Sequence, residues 1–101
     1  MLLQTDKIYI SAVKRFSKLI PAGATIEIHD DRSPPSLGRL IVAHVVNPKW
    51  EKYYSFYVRS YIDPFDDKAA RGVVKLLGEQ IARHKWPSNA AHRVRGEGDG
   101  R

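Results

Sequence analysis

Between Arg39 and Ile62 the chain reads RLIVAHVV, then NPKWEK, then YYSFYVRSYI. Two runs rich in Val, Ile, Tyr and Phe flank a polar break with proline at its second position, a pattern that predicts a long β-hairpin. In the second arm Tyr54, Phe56, Val58 and Ile62 alternate with Tyr53, Ser55, Tyr57, Arg59 and Tyr61, so one face is core and the other is aromatic with a charge. The first arm, Leu40 to Val46, is apolar on both faces except for His44, which suits a central strand. Upstream, Ala24 to Asp30 sets Ile26 and Ile28 against Thr25, Glu27 and His29, the alternation of a half-buried strand. Asp31 to Gly38, with its paired prolines, reads as a loop.

Two helical periods enclose these strands. From Thr5 to Ile20 the residues Tyr9, Ala12, Val13, Phe16, Leu19 and Ile20 share one face, with Lys7, Lys14 and Lys18 opposite, and Pro21 ends the run. A competing reading makes Lys7 to Ser11 a short strand, with the helix starting at Ser11. Asp63-Pro64 reads as cap and first residue of a second helix, with Asp66 and Asp67 in its first turn. Ala70, Val73, Val74, Leu77 and Ile81 form its apolar stripe, and Gly72 and Gly78 weaken it. The fold class is therefore α+β: helix, three-stranded antiparallel sheet, helix, with both helices on one face of the sheet. Residues 1–87 form one domain in this reading, closed by Trp86-Pro87, and 88–101 are a disordered basic tail without periodicity.

Composition changes the picture in three ways. Seventeen Lys and Arg against eleven Asp and Glu give a net charge of +6, which attracts polyanions, nucleic acid foremost. There is no cysteine, so thiol redox chemistry, disulfides and thiolate metal sites are excluded. The amino-terminal stretch is apolar for only two residues after Met1, too short for a signal peptide or membrane span, which leads us to expect a cytoplasmic protein without a membrane partner.

The alternation of the strands leaves one sheet face presenting Glu27, His29, Tyr53, Tyr57, Arg59 and Tyr61, with His44 beside them. Aromatics interleaved with arginine stack on unpaired bases, so Tyr53, Tyr57, Arg59 and Tyr61 are candidate binding residues; Trp50 at the hairpin tip joins them. The same residue types also mark protein interfaces, or merely cover a sheet. Lys7, Lys14 and Lys18 on the first helix and Lys68, Arg71 and Lys75 on the second form a second candidate surface, provided both stripes face one phosphate backbone. His29, Asp30 and Asp31, with His44 on the next strand, are the only cluster suited to acid–base or metal work, and their spacing matches no ligand motif. No cofactor motif is present.

The order of elements is similar to that of the double-stranded RNA-binding domain, over about Thr5 to Trp86. That family holds phosphates with lysines at the start of its last helix, where this chain has Asp63, Asp66 and Asp67 followed by Lys68 and Arg71. Its loop signature Gly-Pro-x-His is replaced here by Ser33-Pro34-Pro35-Ser36, so the resemblance is one of topology.

These features favour a small non-enzymatic binding protein that engages nucleic acid or a ribonucleoprotein through basic and aromatic surfaces. A protein-binding inhibitor or adaptor, of the kind mobile genetic elements encode, is the alternative, acting by occluding a partner site. A small metal-dependent nuclease built on His29 and its aspartates comes third. The tyrosine-rich third strand also leaves room for a homodimer.

Overall fold

The computed structural model describes residues 4–31 and 38–87. The elements are α1 (Gln4–Phe16), β1 (Thr25–Asp31), β2 (Arg39–Val46), β3 (Tyr54–Ser60) and α2 (Asp67–Arg83). The three strands form one antiparallel sheet in the order β1-β2-β3, so β2 is central as its two apolar faces require. Both helices pack on one face of that sheet, as the alternation predicted.

The core lies between helices and sheet. Ile26 from β1, Ile41, Ala43 and Val45 from β2, and Phe56 from β3 meet Ile8, Tyr9, Ala12 and Phe16 of α1 and Ala70, Val73, Val74, Leu77 and Ile81 of α2. Burying each large aliphatic side chain here is worth about 1.5–3 kcal/mol. Gly78 lets the helices approach: a Cβ there would lie 2.9 Å from the Phe16 ring, whereas one at Gly72 would meet nothing within 4 Å.

Several boundaries differ from expectation. α1 begins at Gln4, so Lys7 to Ser11 is helical rather than a strand, and it ends at Phe16 rather than Ile20. After Phe16 the backbone tightens into three-residue hydrogen bonds, Lys18 N to Arg15 O and Leu19 N to Phe16 O, because Pro21 lacks a donor and pushes its predecessor out of the helix. Leu19 is exposed as a result, and Ile8 takes a core place instead. Asp63-Pro64, a cis peptide, does not open α2; the cap is Asp66, whose carboxylate accepts from Ala69 N at 3.0 Å. Asp31, read as loop, is the last residue of β1 and pairs with Leu40. Tyr61 and Ile62 lie beyond the end of β3, and Ile62 is exposed rather than part of the core. The proposed tail, 88–101, falls outside the described residues.

One polar cluster stands within this apolar frame. Arg39 Nε donates to both Asp30 oxygens at 2.9 and 3.1 Å, Arg39 Nη2 donates to Asp30 Oδ2 at 3.0 Å, and Tyr9 Oη donates to the same oxygen at 2.9 Å. The guanidinium also lies 4.3 Å from the centre of the Phe65 ring. Hydrogen bonding to Asp30 raises the Arg39 pKa above its ordinary value, against partial burial, which opposes the charge.

Candidate functional site

The two helices place their exposed polar residues by period. On α1, Lys7, Ser11 and Arg15 recur every four residues; on α2, Arg71 and Lys75 do the same. Because α1 and α2 lie side by side, these rows line an open groove of about 600 Å³. Buried Ile8, Phe16 and Val74, with Gly78, form its floor. Four cations converge there, and no carboxylate is among the described residues that line it. Arg15 is steered by its bond to Ser11 Oγ, 3.2 Å from Nη1, and sits 5.9 Å from the centre of the Phe16 ring. A cleft lined with one sign of charge over an apolar floor focuses its field and concentrates anions.

Of the predicted basic residues, Lys7, Arg71 and Lys75 line this groove, while Lys14, Lys18 and Lys68 do not. Lys14 is turned aside by its helical position, Lys18 follows the end of α1, and Lys68 lies in the first turn of α2. Arg15 is added. Its signal is the four-residue spacing from Lys7 through Ser11, which becomes legible only once the helices are known to lie together.

The open face of the sheet is a second surface. Register aligns it in rows: Glu27, His44 and Ser55; His29, Val42 and Tyr57; Asp31, Leu40 and Arg59. Tyr53, Tyr57 and Tyr61 are 62%, 65% and 69% exposed. Gly38 holds φ at +77°, and a Cβ there would come within 3 Å of both Tyr61 and Arg59, so glycine lets those side chains lie over the chain. His29 and His44 do come together, with ring centres 5.3 Å apart; His29 Nε2 bonds Glu27 Oε1 at 3.0 Å and His44 Nδ1 bonds Ser55 Oγ at 2.9 Å. Asp30 does not join them, because its side chain points to the other face and is held by Arg39 and Tyr9. Among the described residues no group of three His, Asp or Glu is placed to hold a metal ion.

Trp50 is engaged elsewhere. It stacks on Trp86, 5.9 Å between centres, and meets Tyr54 edge-on, in a cluster that also takes in Phe56 and His84. This cluster ties the chain after α2 to the hairpin. The aromatic and basic candidates thus occupy opposite sides of the molecule, with the core between them.

No protein-family model, no curated protein and no solved structure matches this chain. No helix among the described residues is long and apolar enough to cross a membrane.

Proposed function

We propose that this is a non-enzymatic binding protein that grips nucleic acid, free or within a ribonucleoprotein, by its phosphates in the groove between α1 and α2. The observation that carries the reading is the convergence of Lys7, Arg15, Arg71 and Lys75 on one groove that no carboxylate of the described residues lines. Phosphate contacts release counterions, so affinity must fall steeply with salt. Four contacts give a slope of log K against log salt of about −2.8 on a single strand or about −3.6 on B-form DNA.

The test is fluorescence anisotropy with labelled single- and double-stranded oligonucleotides between 50 and 200 mM salt. The expected result is binding with a slope near those values, roughly halved in the Arg71→Ala/Lys75→Ala variant, whose two side chains are exposed and outside the core. Failure to bind any oligonucleotide at the lowest salt, or a slope that the double variant leaves unchanged, refutes it.

A further inference from the structure

The uncovered face of the sheet has a symmetry of its own. Its β1 column is Thr25, Glu27, His29 and Asp31; its β2 column is Leu40, Val42, His44 and Val46; its β3 column is Ser55, Tyr57 and Arg59, with Tyr53 just before the strand and Tyr61 just after it. β1 and β3 both run antiparallel to β2, and therefore parallel to each other. A two-fold axis parallel to β2, midway between two such sheets, sets β1 of one copy over β3 of the other and keeps every row at its own level. Asp31 then faces Arg59 of the second copy, His29 faces Tyr57, Glu27 faces Ser55, and the β2 column of Leu40, Val42, His44 and Val46 packs on itself. The other simple two-fold, across the strands, stacks acidic column on acidic column and tyrosine column on tyrosine column. Charge therefore selects the first.

We infer that this face is the contact surface of a symmetric homodimer, two sheets packed face to face with β1 over β3. Isologous contacts of this kind need a self-complementary patch, and the row Asp31, Leu40, Arg59, with the row His29, Val42, Tyr57 beside it, supplies one. Aligned sheets pack about 10 Å apart and about 30° from parallel, so the rows meet in order with a progressive offset. The area also speaks. At roughly 150–250 Å² per aromatic side chain, the exposed parts of Tyr53, Tyr57 and Tyr61 amount to about 400 Å² per copy. With the β2 column and the β1 side chains the face reaches roughly 600 Å², somewhat below the ~800 Å² per partner of a standard interface. The dimer therefore belongs to the smaller, transient class of interfaces. It leaves both basic grooves facing outward on opposite sides, whatever they bind.

Sedimentation velocity on the full chain, freed of nucleic acid by nuclease and run from 1 to 200 μM, tests this. The expected result is a concentration-dependent doubling of mass that Tyr57→Glu abolishes, with circular dichroism showing the variant folded. If Tyr57→Glu does not fold, Tyr53→Glu serves in its place. Arg59→Asp and Asp31→Arg should each raise Kd at least threefold, and the double variant should recover it. A monomer at 200 μM overturns the proposal. A dimer indifferent to the tyrosine variants, or a charge swap that fails to recover, overturns the β1-over-β3 arrangement.

Discussion

Two glycines in α2 offer a controlled measurement of how closely the helices pack. Gly72 and Gly78 lie in the same helix, and replacing either by alanine brings the same gain in helix propensity, about 1 kcal/mol. At Gly72 the new methyl group meets nothing within 4 Å, so the gain should stand nearly whole. At Gly78 it would lie 2.9 Å from Phe16 Cε1 and 3.3 Å from Cζ. Phe16 is buried, so its ring must shift against the core, at a cost of about 1–3 kcal/mol for overpacking. Gly72→Ala should therefore stabilise by about 0.5–1 kcal/mol, and Gly78→Ala should lie about 1–3 kcal/mol below it. In a domain of this size each kcal/mol moves Tm by about 4–8 °C. Urea unfolding followed by tryptophan fluorescence reads the difference, since propensity cancels between the two. Phe16→Leu in the Gly78→Ala background should recover part of the loss, a coupling of about 0.5–3 kcal/mol. Equal stabilisation by both alanines would refute the close approach of α1 to α2 at Gly78.

Other substitutions probe single contacts. Asp30→Ala strands the Arg39 guanidinium and the Tyr9 hydroxyl; the arginine is partly exposed, so the loss should be about 2–4 kcal/mol by thermal unfolding, toward the lower end of a broken buried pair. Asp66→Ala removes the cap of α2 and should cost about 0.5–2 kcal/mol, whereas Asp63→Ala, which caps nothing, should be near neutral. Ile41→Ala, at a fully buried site in the central strand, should cost about 2–5 kcal/mol. The raised pKa of Arg39 makes its contribution complete at any pH below the ordinary guanidinium value, and it is lost only as pH rises through the raised one. A Tm profile between pH 6 and 10 should therefore show no step that Arg39→Met removes.

The strands were legible because alternation survives in them almost without exception: Ile26 and Ile28, then Ile41, Ala43 and Val45, then Phe56 and Val58 point to the core as their spacing said. Helix ends were less legible. Asp63-Pro64 carries the composition of a start, but Asp66 is the residue whose carboxylate reaches a free backbone N–H, and composition does not distinguish two aspartates three residues apart. Likewise Leu19 and Ile20 continue the apolar period after the backbone has left the helix, because periodicity is blind to the reach of Pro21. The open sheet face could be read from one strand at a time, yet its rows depend on register, which no single strand encodes. The groove depended on a tertiary fact, the pairing of two helices distant in sequence, and so the sequence alone neither separates Lys7 from Lys14 and Lys18 nor points to Arg15.

The cluster of Tyr9, Asp30, Arg39 and Phe65 joins α1, β1, β2 and the segment leading into α2, the first three through the Asp30 carboxylate and the last through the Arg39 guanidinium. Lifting α1 alone would leave that carboxylate short of a donor; parting β1 from β2 would separate opposite charges in a largely apolar setting. Partial openings are thereby made nearly as costly as complete ones. In hydrogen exchange, the central amides of α1 should accordingly exchange at the same rate as those of β2, both released only when the entire fold is lost, and Asp30→Ala should set α1 free to exchange first.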